Sequence, residues 1–317
     1  MTMTVAVTGG AGFIGSALVR NLVQDPSIGD VVVVDNFSTG SRRNLYGVDV
    51  NVQAADVRDR DALSRALRPA DAIVHLAALP SVVRSLQDPL SSHEVNVTGT
   101  FNVLEQSRAL DIPIYAASSS SVYGASQQLP KREDQTPEPM SPYAAGKLAG
   151  EAYLRAYRYS FDVRGIAFRF FNVYGPRQPF AGAYSAVVPA FLSAARDGVP
   201  FQVYGDGRQT RDFTFVDSVA DALAASVVRG LDYPEPVNLA FGTRTSILEL
   251  GEAVSSVTGT SVGLIFKDAR KSDVRDSQAD GGSLKELLPD IRPVSLIEGL
   301  QYTYDHLARE TKPEIFV

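Results

Sequence analysis

Short, continuously apolar runs separated by stretches of helical period dominate the first 240 residues. "VAVT" (5–8), "VVVVD" (31–35), "AIVHLAA" (72–78), "IPIYAAS" (112–118), "IAFRF" (166–170) and "VNLAF" (237–241) do not alternate apolar with polar. Strands covered on both faces of a parallel sheet read this way. The helical segments between them supply the right-handed crossovers that parallel neighbours need. The pattern predicts an open, doubly wound α/β sheet. After Gly175 the pattern loosens. Residues 176–212 are rich in Gly, Pro, Gln and aromatics, with one helical stretch near 185–197, and residues 242–300 mix short helices with turn signals. These parts predict a smaller lobe interleaved with the last strands. The expected division is a sheet domain of 1–175 plus 210–242, and a lobe of 176–209 and 243–317. The tail after Arg309 is expected to be loose.

Composition narrows the class. A chain of 317 residues suits one large domain, or a domain with a lobe. No apolar stretch approaches the roughly 20 residues of a membrane span. The start, "MTMTVAVTGG", has no basic n-region and runs straight into a strand pattern, so the expectation is a cytoplasmic protein without a signal peptide. The absence of cysteine excludes disulfides and thiolate metal sites. His75, His93 and His306 are too dispersed for a metal cluster. With 30 basic and 36 acidic residues the net charge is −6, which argues against a nucleic-acid partner but allows a local basic patch for an anion.

The first chemical signal is "VAVTGGAGFIGSALV". Gly9, Gly12 and Gly15 are spaced G-x-x-G-x-x-G between a strand and a helix. Gly9 permits a tight turn, Gly12 close approach to a pyrophosphate, and Gly15 close helix–strand packing. The helix N-terminus offers unpaired N–H groups to the phosphates. Asp35 ends the second strand 20 residues beyond Gly15. A carboxylate there accepts from adenosine ribose hydroxyls and repels a 2′-phosphate, so NAD is favoured over NADP. In "ADVRD", Asp56 is assigned to the adenine side, with an ordinary helix N-cap as the alternative.

"SPYAAGKLAGE" carries Tyr143 and Lys147. At i and i+4 of a helix they share one face. An ammonium beside a phenol is expected to lower its pKa and prepare a base. Upstream, "AASSSSVYG" (116–124) sets four serines at the end of an apolar run, either as loop packing or as hydroxyls delivered to a reacting centre.

Taken together, "TGGAGFIG", "HLAA", "NVTGTFNVLE", "SSSSVYG", "YAAGK" and "RFFNVYGPRQ" resemble the extended short-chain dehydrogenase/reductase family, and within it the nucleotide-sugar epimerases and dehydratases. The resemblance runs from about residue 4 to about residue 300. It implies a Rossmann sheet with a C-terminal substrate lobe, NAD as cofactor, a UDP-sugar as substrate, and a homodimer built on helices 85–110 and 143–160. It further implies that Phe13, Ile14, Asn36, Ser38, Thr39, Gly40, Val57, Leu76, Ala77, Ala78, Asn96 and Phe170 join Gly9, Gly12, Asp35 and Asp56 around the cofactor.

By the same resemblance, Ser119 hydrogen-bonds the reacting sugar hydroxyl while Tyr143 takes its proton and Lys147 holds the nicotinamide ribose. Dehydratases usually carry Asp and Glu at the next two positions. Ser120 and Ser121 stand there instead, and an unactivated hydroxyl is a poor acid or base. That favours 4-epimerisation and leaves dehydration through the same 4-keto sugar as the alternative, with a non-catalytic NAD-binding family member behind both. Ser121, Asn172 and Val187 are implied on the substrate side. Gln202 and Tyr204 bracket the uracil, Arg211 and Arg270 the pyrophosphate, and Asp273 a ribose hydroxyl. Ser277 stands where a bulky tyrosine excludes a C2 N-acetyl group, so UDP-N-acetylhexosamines are expected to fit. Ser81 and Arg84 are further candidates, with a core or loop role equally open. His75 is expected to serve strand structure.

Overall fold

The computed structural model of the protein describes residues 2–179, 186–269 and 274–310. Its central sheet has seven parallel strands: β1 (Met3–Thr8), β2 (Ile28–Asp35), β3 (Asn51–Ala54), β4 (Ala72–His75), β5 (Ile114–Ser119), β6 (Gly165–Phe170) and the strand Val237–Leu239. The order across the sheet is Val237–Leu239, β6, β5, β4, β1, β2, β3. Strand order reverses beside β1, between β4 and β2, and the loops leaving their carboxyl ends diverge there to open a crevice.

The helices are α1 (Phe13–Leu22), α2 (Arg60–Leu67), α3 (Val82–Gln87), α4 (Pro89–His93), α5 (Thr100–Leu110), α6 (Pro142–Phe161), α7 (Val187–Asp197), α8 (Val216–Val228), α9 (Ile247–Thr258), α10 (Gly282–Leu287) and α11 (Leu296–Glu310). Each apolar run feeds two cores by strict alternation. Val5, Val7, Val31, Val33 and Val74 pack with α1 and α8 on one face. Ala6, Val32, Val34, Ile73 and Ile114 pack against α2, α5 and α6 on the other.

A third core gathers α7, α9 and α11 around the strand Phe201–Tyr204, whose parallel partner Leu264–Lys267 is exposed. Phe191 and Phe201 stack there with ring centroids 4.4 Å apart. Leu284 and Leu288 return to the first core. The chain therefore revisits the sheet at α10, within the stretch expected to belong wholly to the lobe. The stretch expected as one helix over 85–110 is also divided. Asp88 is non-helical before Pro89, whose ring disfavours a helical conformation in the residue before it, and a π-helical stretch at Glu94–Gly99 leads into α5. No helix is long and apolar enough to cross a membrane, and no cluster of three or more metal-ligating side chains occurs among the described residues.

Candidate active site

The glycine turn is built by crowding. Gly9 has φ +73°, and a Cβ there would lie 2.7 Å from the Ala77 nitrogen. A Cβ on Gly15 would stand 2.1 Å from the Gly9 carbonyl oxygen, so only glycine lets α1 close onto β1. Gly12 caps α1 without a side chain, leaving the first-turn N–H groups open to the crevice. Asp35, buried at the end of β2, accepts from Ala11 N (3.0 Å) through one oxygen and from Phe37 N (2.8 Å) through the other. Its lone pairs exceed those two bonds, so it can still accept from a ribose diol.

A cavity of about 320 Å³ runs from this turn along the carboxyl ends of β1, β2, β4 and β5. Gly9, Gly12, Phe13, Ile14, Asp35, Asn36, Ser38, Thr39, Val57, Leu76, Ala77, Ala78, Ser119, Tyr143, Lys147 and Phe170 all line it. A tight glycine turn, an open helix N-terminus and an acidic residue at the second strand end fit a dinucleotide lacking a 2′-phosphate.

Three residues expected at the cofactor do not line this cavity. Gly40 packs on Ala11 and the Asp35 carboxylate. Asn96 is buried, with its amide clasping both backbone groups of Leu79 (2.8 and 3.1 Å). Asp56 accepts from Asn36 Nδ2 (2.7 Å) and pairs with Arg58, whose guanidinium holds its carboxyl down at about 2.

Ser141 caps α6 by accepting from Ala144 N (3.1 Å), and Pro142 opens the helix. This start presents Tyr143 and Lys147 to the cavity on one face. Lys147 is buried and its Nζ donates to the Ala117 carbonyl at 2.8 Å. Burial brings Lys147 down to about 8, while Glu151 pulls the other way. The Tyr143 phenol departs from expectation. Burial raises its pKa, and a hydrogen bond with Ser119, not the lysine, is what opposes the rise. Ser119 in turn accepts from Ser121 N (3.2 Å) and Ser121 Oγ (2.9 Å). Ser121 therefore faces Ser119 and does not line the cavity.

His75 lies beneath, its ring nitrogens 2.7 Å from Thr8 Oγ1 and 2.9 Å from Thr100 Oγ1. Burial, helped by the Lys147 charge, lowers it to about 3, so it is a neutral strut between β1, β4 and α5.

A second cavity of about 230 Å³ opens towards the lobe. Asn172, Val187, Gln202, Tyr204 and Arg211 line it, as do Val173 and Gln178, which also line the first. The two spaces share that wall. Gln178 was not foreseen. Its Nε2 donates to Val173 O (3.2 Å), and its Oε1 is buried without a hydrogen-bond partner. A buried acceptor left unpaired costs about 1–3 kcal/mol, so a donor from a bound molecule would be favoured there. Its only signal was its place at the end of "GPRQ".

Ser277 is buried beside Arg211, its N–H bonded to Thr210 O (3.1 Å), and lines neither cavity. Ser81 caps α3 at φ +96° by accepting from Arg84 N. Neither Ser81 nor Arg84 lines either cavity; the neighbouring Pro80 lines the first. Arg270 and Asp273 lie outside the described residues.

Comparison with known proteins agrees with this layout. A family model described as the NAD dependent epimerase/dehydratase family matches residues 5–240. The UDP-glucose 4-epimerase of Mycolicibacterium smegmatis is 37% identical over 98% of this chain and 100% of its own. The solved UDP-N-acetylglucosamine 4-epimerase of Methanobrevibacter ruminantium, in complex with UDP-N-acetylmuramic acid, superposes with a TM-score of 0.91 at 34% identity, covering 98% of this chain and 99% of that one. A dTDP-glucose 4,6-dehydratase from Streptomyces venezuelae with NAD bound gives a TM-score of 0.87 at 31% identity over 98% of both.

Proposed function

Because the chain belongs to the NAD-dependent epimerase/dehydratase family, we propose that it is a UDP-sugar 4-epimerase acting on a UDP-N-acetylhexosamine. The observation that carries the reading is the wall shared by the two cavities. It joins the glycine turn, Ser119, Tyr143 and Lys147 to a second space bearing Arg211, Gln202 and Tyr204. NAD, held by the glycine turn and Asp35, would supply reversible hydride acceptance at sugar C4. Tyr143 takes the O4 proton, its hydrogen bond with Ser119 opposing the rise that burial gives the phenol. Ser119 hydrogen-bonds O4 both as alcohol and as ketone without adding charge. Arg211 and Asn172 hold the diphosphate, Gln202 and Tyr204 the base. Ser120 and Ser121 provide no carboxyl for eliminating the 6-hydroxyl, which favours epimerisation over dehydration. The unpaired acceptor of Gln178, on the wall shared by the two cavities, favours a sugar bearing a donor such as the N–H of an acetamido group.

The test is incubation of the NAD-loaded protein with UDP-GlcNAc and, separately, UDP-glucose, followed by mass spectrometry and NMR of the sugar. A C4 epimer of unchanged mass, formed faster from UDP-GlcNAc, supports the proposal. Loss of one water makes the protein a dehydratase, and no turnover of either substrate rejects the reading.

A further inference from the structure

Behind the cavity lies a buried carboxylate that the chemistry above leaves unused. Glu151 stands eight residues beyond Tyr143 and four beyond Lys147 on α6, so the three share a face. It pairs bidentately with Arg169 of β6, at 2.9 Å to Nε and 2.8 Å to a terminal nitrogen. Their side chains are only 8% and 3% exposed. Ser118 Oγ of β5 donates to the same carboxylate. Ser118 and Arg169 are register partners across β5 and β6, each one residue before a cavity residue, Ser119 and Phe170.

One carboxylate thus touches all three elements that bring Ser119, Phe170, Tyr143 and Lys147 together. We propose that Glu151 is a positioning residue that locks α6 against β5 and β6 and keeps Lys147 charged. The inference rests on Ser119, Tyr143 and Lys147 being the reacting set.

The charges around Lys147 are few. Tyr143 and Glu151 face it from α6 and the neutral His75 from β4. Arg169 lies beyond Glu151 on β6, bonded in turn to the Tyr123 oxygen (2.9 Å) and the Glu133 carbonyl (3.3 Å). Burial pushes Lys147 down and Glu151 alone among these opposes it. Glu151→Gln keeps the shape, removes the opposing charge and leaves the Arg169 charge uncompensated. Both changes disfavour a protonated lysine.

The chain has six lysines, at 131, 147, 267, 271, 285 and 312, so 13Cε-lysine NMR can follow each titration, with Lys147→Met assigning the resonance. In Glu151→Gln the Lys147 midpoint should fall by about one pH unit, and the alkaline limb of the pH–rate profile should move with it. An unmoved midpoint in a folded Glu151→Gln protein overturns the proposal. Ser118→Ala leaves the ion pair intact and serves if the first variant does not fold. It should retain the wild-type Lys147 titration while kcat falls several-fold, and an unchanged kcat overturns the tether. The NMR readout needs no substrate. A shifted Lys147 in a chain inactive on every sugar nucleotide defeats the proposed function and leaves the role of Glu151 standing. An active chain with an unmoved Lys147 does the reverse.

Discussion

At the scale of single residues, the reacting groups are defined by burial as much as by one another. Tyr143 enters the cavity with a phenol that burial has made less acidic, so the positive charges of Lys147 and of a bound nicotinamide must overcome that cost before it can act as a base. Tyr143→Phe should therefore keep NAD, read by fluorescence or by cofactor content, while kcat falls by about 10²–10⁴. Near-normal turnover would remove Tyr143 from its role. Gln178 gives a second residue-scale test. Gln178→Leu removes the buried acceptor at the shared wall, so KM for the UDP-sugar should rise about tenfold; an unaltered KM would separate Gln178 from the substrate. Tyr143, Lys147 and Asp35 were legible because fixed spacing on a helix or strand end carries them to the cavity. Gln178 was not, because its meaning lies in an unpaired oxygen that only three-dimensional packing reveals.

At the scale of elements, the strands were readable wherever both faces are covered. β3, "NVQA", escaped notice because it is a half-exposed edge strand with no apolar run to betray it. The turn between β1 and α1 makes a sharper claim. Gly15→Ala drives a methyl into the Gly9 carbonyl, so α1 must shift off β1. NAD affinity should fall by about tenfold or more, measurable by calorimetry, and undiminished binding would show the turn to be slack. His75 ties β4 to β1 and α5 in its neutral form. Its folded pKa, about 3, lies below that of the unfolded chain. Between those values the unfolded state binds the extra proton, so stability rises with pH through this window and is fully present above it. Urea unfolding at pH 5 should thus show a loss of about 2 kcal/mol relative to pH 6.5 from this group alone. His75→Gln should lack that increment; an equal loss in the variant would assign it elsewhere.

For the whole molecule, the division into sheet and lobe follows from where apolar side chains converge, and the crevice between them is where the two cavities meet. The return of α10 to the sheet was not legible, since Leu284 and Leu288 are apolar in either location and sequence does not say which core they enter. The outer face of the sheet domain carries a further consequence. Val83 and Leu86 of α3, Leu90 of α4 and Tyr153 of α6 are exposed apolar residues on helices that pack together. A patch of that kind on one side of a globular protein is suited to a self-complementary contact between two copies. It also involves α6, whose first turn carries Tyr143, so pairing would brace the helix that positions the reacting phenol. Leu86→Glu with Tyr153→Glu puts two carboxylates into this face without touching either cavity. Sedimentation should find a dimer for the wild type and a monomer for the double variant, with NAD still bound and kcat reduced through a less rigid α6. A wild-type protein that sediments as a monomer at micromolar concentration would assign this face to another partner.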